Sequence, residues 1–297
     1  MKIIGKYPIE VFGFDYENTT ESCKLARKQQ YCKYIKGTCV KPRKSEPQRK
    51  VGICSLGSTV NKSKEIHPVI ICPQRFKEES MFETIRQKYL THWNNVKWIQ
   101  EVNIGVGGNV DYVAVEVDEY DRVIDFLCVE IQAAGTTGTP YPYVNDLIEY
   151  GKYTNTNKPS YGINWANEFT KTMMQQAYKK GKIVESWNRK IVFVIQDLAI
   201  EYMQATSDCS LLTDYNRDYP VDFCSFTLLW SQDVGQWYLS FDKIRSTTID
   251  GINRIIGGAN VSEYPTVQEF ICNIVKKGIA DGILSNNSYT RSLCEIL

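Results

Sequence analysis

Histidine is nearly missing from this chain: His67 and His92 are the only two in 297 residues. HNH-type nucleases, histidine-based phosphodiesterases and serine hydrolase triads all need a placed imidazole, so the scarcity argues against each of them. His67 precedes Pro68 and reads as a loop residue, while His92 reads as a helix end, and neither has a partner in view. Long apolar runs are also missing; nothing approaches the roughly 20 residues that a membrane helix needs. The opening MKIIGKYPIEVFGFDYE turns acidic and polar too early for a signal peptide, so the expectation is a cytoplasmic protein with no membrane contact. Internal repeats and low-complexity linkers are lacking too. What remains is ordinary globular composition, 43% hydrophobic and 12% aromatic, able to fill the core of one large domain or of one domain with a small appendage.

Net charge is almost nil, +1 at pH 7, but the charges are segregated. Between Lys24 and Lys64 twelve Lys or Arg face one acid, Glu46; between Asp111 and Glu130 seven acids face one base, Arg122. A basic segment beside an acidic cluster suits a protein that holds phosphates and collects divalent cations. Taken alone, the same pattern also describes a solvated basic face and an acidic hairpin.

Ten cysteines are many for the reducing cytosol, where clusters bind metal more often than they form disulfides. Cys128, Cys209, Cys224, Cys272 and Cys294 lie in apolar surroundings and read as buried thiols. The other five are Cys23, Cys32, Cys39, Cys54 and Cys72. Cys39 and Cys54 follow turn-like KGT and VGI, Cys72 ends the strand-like HPVIIC, and Cys32 follows a helical stretch. Cys32, Cys39, Cys54 and Cys72 are the expected tetrahedral set for zinc or iron, which spacing does not distinguish. Cys23, on the helical SCKLARKQQ, is the odd one out. The competing reading is a basic loop with unrelated free thiols.

Chemistry is expected further on. Strand-like runs at 97–104, 110–117 and 122–133 are separated by Gly105–Gly108 and by Asp118–Asp121, which predicts an antiparallel meander. Alternation puts Glu130 and Gln132 on one face, about 6.6 Å apart at the usual rise, and sends Leu127, Val129, Ile131 and Ala133 to the other. A turn about Glu119 and Tyr120 would set Asp111 opposite Cys128, and so on the face of Glu130 and Gln132. Two carboxylates and an amide form an all-oxygen pocket of the kind magnesium prefers. Asp118, Glu119 and Asp121 read as solvated surface, whereas Asp111 and Glu130 interrupt apolar strands where a bare carboxylate is costly to bury.

These residues carry a resemblance. NVDYV, followed nineteen residues on by VEIQ, resembles the D…(D/E)-x-K motif of the PD-(D/E)xK nucleases, with Gln in place of Lys. The Cys-rich segment running through GICS to IICPQRF, with VDYVAVEV and DFLCVEIQAAGTTGTPY, is similar to the NotI-type restriction endonucleases from about residue 11 to residue 165. The resemblance implies an α/β fold, a restriction-endonuclease-like core of mixed sheet flanked by helices, in residues 76–297, with the four-cysteine metal-binding segment in residues 1–75. It implies that Asp111 and Glu130 hold catalytic Mg2+ and that Gln132, in the lysine position, orients the attacking water or the scissile phosphate. It further implies iron in the site of Cys32, Cys39, Cys54 and Cys72, and a homodimer on palindromic, GC-rich double-stranded DNA, without a small-molecule cofactor. An amide lacks a lysine's charge, which leaves more of the stabilisation to the metal. Glu83 and Glu101 are equal candidates for a further assisting acid.

After Gly138 the sequence predicts a short helix in TPYPYVNDLIEYGKY and a buried one with Trp165, Phe169, Met173 and Ala177 on one face. KIVFVIQDLAI predicts a central strand, with further strands at 221–230 and 236–243. A last helix near 266–278 would turn Phe270, Ile271, Ile274 and Val275 inward. Two other functions fit the same residues: a repair or mobile-element nuclease that cuts at structures, and a non-catalytic DNA-binding protein with a cysteine-metal module.

Overall fold

Strands and helices alternate through the computed structural model, which describes residues 2–61, 63–154, 161–257, 267–281 and 286. Strands β1 (Pro8–Val11) and β2 (Phe14–Asp15) come first, then helix α1 (Glu21–Gln29) and a small hairpin, β3 (Tyr31–Cys32) and β4 (Gly37–Thr38). Strands β5 (Ile53–Ser58) and β6 (His67–Ile70) join the first two in a four-stranded sheet of order β2-β1-β5-β6. The Thr20 hydroxyl caps α1 by accepting from the Cys23 N–H, and left-handed Gln30 ends it.

The buried side of this sheet is tied down by charge. Arg75, fully buried in the 3-10 turn Pro73–Phe76, donates from Nε to Glu10 Oε2 at 2.8 Å. Tyr34 and Ser55 hydroxyls donate to the same Glu10 carboxylate, and Arg75 also reaches Glu78. Breaking a paired charge at such a site costs roughly 3–5 kcal/mol. The cluster fixes the chain immediately after Cys72 against β1.

Helix α2 (Glu79–Tyr89) leads into the meander β7 (Val96–Asn103), β8 (Asn109–Val117) and β9 (Val123–Ile131). Helix α3 (Tyr141–Glu149) follows, then a π-helical stretch, Ala166–Met173, that continues as α4 (Met174–Ser186). Trp165, Phe169, Met173 and Ala177 are all buried along it. An α-helix turns every 3.6 residues, so positions spaced by four drift around it; the wider π turns oppose that drift and keep the four on one side.

Strand β10 (Ile191–Gln196) and helix α5 (Asp197–Thr206) are followed by β11 (Thr213–Asp214), β12 (Val221–Ser231), β13 (Gln236–Thr247) and α6 (Ile249–Gly257). The apolar run of β10 therefore stops at Gln196, and DLAI begins a helix rather than extending the strand. The main sheet has seven strands in the order β11-β13-β12-β10-β9-β8-β7; β10 runs parallel to β9 and β12 and the remaining pairs are antiparallel. Its middle strands are buried on both faces, which explains why β10 is apolar at nearly every position.

Alternation sorts those strands between two cores. Val113, Val115, Cys128, Ile191, Phe193 and Ile195 face α4 and α5, while Tyr112, Ala114, Leu127, Val129, Val192 and Val194 face α2. Buried Gln196 joins the two sheets: it accepts from Ile70 N–H at 2.8 Å and donates to Pro68 O at 2.6 Å.

Residues Met1–Gly257 form one compact unit and Gly258–Leu297 a second, in which α7 (Val267–Ala280) is described. On α7 Val275 is buried, as its spacing predicts, but Ile274 is 49% exposed and Cys272 takes the buried place three residues before Val275. Position 266 and the side chains of Phe270 and Ile271 lie outside the described residues.

Candidate active site

The hairpin of β8 and β9 pairs Tyr112 with Val129 and Val113 with Cys128, so one further step sets Asp111 opposite Glu130. A turn about Glu119 and Tyr120 predicts Asp111 opposite Cys128 instead. Two local features account for the difference. The loop has three residues, Glu119 to Asp121, closed by Asp118 N–H donating to Arg122 O, and a bulge follows between Val117 and Glu116. Each displaces the register by one. Because side chains alternate with period two, the combined shift returns Asp111 to the face of Glu130 and makes the two direct neighbours.

Hydrogen bonds lock that pairing. Ile131 N–H donates to Asp111 Oδ2 at 2.7 Å, and Asp111 N–H donates to Glu130 Oε2 at 3.4 Å. Glu130 is buried and Asp111 half-buried. Burial, and then the charge of Asp111, push the Glu130 carboxyl up to about 7, although Lys180 opposes the shift. Burial also raises Asp111, against the Ile131 hydrogen bond and the charge of Lys180.

Lys180 comes from α4. Its Nζ donates to Glu130 Oε1 at 2.7 Å and to Asn109 O at 2.7 Å, and the residue is 3% exposed. The turn before β8 lies close over this helix at Gly107, where an added Cβ would stand 3.2 Å from Lys180 Cγ and 2.8 Å from Ile104 Cγ2. The motif at 111–132 gives no sign of Lys180. Its position does: Ala177, Lys180, Gly181 and Val184 share the buried stripe of α4, and a lysine inside an apolar stripe needs a partner.

Gln132 follows the end of β9, its N–H donating to Val194 O at 3.0 Å. Its amide Nε2 donates to Ala133 O at 3.1 Å and to Glu168 Oε2 at 3.5 Å. Glu168 sits in the π-helical stretch and presses against Gly135, where an added Cβ would stand 2.4 Å from Glu168 Oε1. Of the two further acids, Glu101 lies between the pairs Gln100–Tyr112 and Val102–Val110, level with Asp111, and its charge raises that carboxyl. Glu101 has a left-handed backbone, φ 53°. Glu83 is exposed on α2 and accepts from Gln87 at 2.8 Å.

The four-cysteine expectation meets a mixed result. Cys32, Cys39, Cys54 and Cys72 are all buried, in β3, just after β4, in β5 and just before the 3-10 turn Pro73–Phe76. Burial raises the Cys32 thiol, lifts Cys54 well above its ordinary range and pushes Cys72 to about 11; Cys54 feels Cys72 and Cys32, and Cys72 feels Cys39 and Cys32. The charged neighbours of Cys23 are Arg27 and Asp15, so it stands apart from that group. Yet among the described residues no three His, Cys, Asp or Glu side chains stand close enough to hold a metal ion. Cys54 Sγ instead turns to Gly52 O at 3.8 Å, as a neutral thiol does when it donates to backbone. The tetrahedral closure inferred from spacing is thus not what the side chains display.

Two oxygen donors at Asp111 and Glu130 nevertheless fit magnesium, which is commonly held by one or two carboxylates and keeps several waters. Among the described residues no helix is long and apolar enough to cross a membrane. No curated protein matches the chain. The family model described as "Restriction endonuclease NotI" matches residues 22–214, a span that contains all four clustered cysteines, the Asp111–Glu130 hairpin and Lys180. The chain belongs to the NotI restriction endonuclease family, whose members are DNA hydrolases that cleave double-stranded DNA at specific sites.

Proposed function

We propose that this protein is a type II restriction endonuclease that uses Mg2+, held by Asp111 and Glu130, to hydrolyse phosphodiester bonds at a palindromic, GC-rich site. The observation that carries the reading is the direct opposition of Asp111 and Glu130 on adjacent strands, each accepting a hydrogen bond from the other's strand. When bound, the ion supplies Lewis acidity and lowers the pKa of a water. The chain's own groups do the rest. Ile131 N–H orients Asp111, Lys180 and Asp111 N–H hold the two oxygens of Glu130, and the amide of Gln132, at the end of β9, orients water or phosphate.

A homodimer is the economical partner for a palindrome, since a two-fold axis in the protein then coincides with the axis of the DNA. Residues 1–75 act in this reading as a structural annex in which Cys32, Cys39, Cys54 and Cys72 bind iron or zinc; what supports it is that all four thiols are buried, and four thiolates are chemically suited to either metal. A cytoplasmic setting, which keeps those thiols reduced, goes with it.

Digestion of a fully sequenced phage DNA with purified protein and Mg2+, followed by mapping of the ends, tests the reading. The expected product is a set of discrete fragments whose ends share one palindrome. Random nicks, smears, or cuts only at junctions and flaps would contradict it.

A further inference from the structure

The motif position at 132 carries an amide, and among the described residues the cation closest bound to the paired carboxylates lies elsewhere, on α4. Lys180 is buried, its Nζ donates to Glu130 Oε1 at 2.7 Å and to Asn109 O at 2.7 Å, and its charge acts on Asp111 as well. Asn109 opens β8, two residues before Asp111. Lys180 therefore spans both strands that carry the carboxylates.

Chance burial is a poor explanation. A lysine on the inward stripe of a helix, between Ala177 and Val184, forfeits solvation that an apolar side chain would not lose. Its Nζ hydrogen bonds go to one site carboxylate and to the strand bearing the other. Charge balance points the same way. The outlying charges of Glu101 and Lys77 act on Asp111 in opposite senses, so the balance is set by the two carboxylates and the ammonium, whose one net negative charge a divalent ion converts to one net positive charge. A phosphodiester is then attracted, and the charge that develops as it is attacked is stabilised. Without the ammonium, the same ion would merely neutralise the pair.

We propose that Lys180 is the fixed positive charge of this active site, a positioning residue that occupies Oε1 of Glu130, leaves Oε2 on the Asp111 side, and supplies from α4 the charge that Gln132 lacks. The proposal rests on the reading of Asp111 and Glu130 as the catalytic pair.

The test uses the full-length protein with Lys180→Gln, which keeps hydrogen-bonding capacity and removes the charge. Single-turnover cleavage is expected to fall about 100- to 1000-fold, the scale for losing one stabilising group. In the absence of DNA, Mn2+ affinity measured by calorimetry in mildly alkaline buffer is expected to rise several-fold, because the ion no longer competes with a neighbouring cation. Adding Gln132→Lys to Lys180→Gln is expected to recover at least tenfold of the lost rate by returning the charge to the site. A purely structural lysine gives another pattern, with melting temperature and Mn2+ affinity falling together and no recovery from the second change; that result overturns the proposal. Full cleavage by a folded Lys180→Gln protein overturns it too. Should Lys180→Gln fail to fold, Lys180→Arg decides: at least a tenth of the wild-type rate supports the proposal, and a folded variant below a hundredth overturns it. Glu130→Ala is run alongside. If it still cleaves, the reading of the site itself has failed; if it is inactive while Lys180→Gln is fully active, only the role of Lys180 has failed.

Discussion

Asp111 and Glu130 hold each other's strands: Ile131 N–H, next to Glu130, donates to Asp111 Oδ2 at 2.7 Å, and Asp111 N–H faces Glu130 Oε2 at 3.4 Å. The two carboxylates are consequently kept side by side despite their repulsion. The strain of that arrangement is visible in Glu130, whose carboxyl burial and the charge of Asp111 lift from the ordinary 4.5 to about 7.

A pH dependence follows. With its folded pKa raised, Glu130 in the metal-free protein favours the folded state most below about pH 4.5, and that contribution is lost as pH rises through 7. Mg2+ needs the ionised form and competes with the proton. The Mg2+ concentration for half-maximal cleavage is therefore expected to fall roughly tenfold per pH unit up to about 7 and then level off. Titrating cleavage against Mg2+ at several pH values measures it; a requirement independent of pH would contradict the assignment.

The cysteine segment makes a second prediction. Elemental analysis of purified protein should find one iron or zinc per chain, lost in Cys54→Ser and kept in Cys23→Ser. Stripping that metal should lower the melting temperature by about 10 °C or more, the shift that a loss of several kcal/mol produces in a chain of this size. A metal-free protein with unchanged melting would show that the four buried thiols are simply packed.

Much of the site was legible because it is local. Alternation along 110–117 and 122–133 puts Asp111 and Glu130 on one face, and the three-residue loop plus the bulge leave that parity intact even though they change the partner of Asp111. Lys180 was not legible in the motif because it arrives from a separate helix, far beyond Gln132 in sequence; only its place in an apolar stripe hints at it. The contact of Glu168 with Gln132 was hidden for the same reason, since it joins residues 36 apart in sequence. Cysteine spacing singled out four thiols that the fold buries but could not specify where each sulfur points.

Gly135 tests the support of Gln132. Gly135→Ala would put a methyl 2.4 Å from Glu168 Oε1, displacing the group that accepts from Gln132 Nε2. Cleavage at saturating Mg2+ is expected to fall about tenfold or more, on the scale that small misplacements cost, with DNA binding retained. Unchanged cleavage would show that the Gln132–Glu168 contact has no part in the reaction.

Glu130→Ala provides the most direct measurement, with cleavage of mapped DNA and equilibrium binding of the same DNA followed in parallel. If the hairpin is the catalytic site, cleavage disappears in Mg2+ while specific binding persists. Cleavage that survives at the wild-type rate would place the chemistry elsewhere in the molecule.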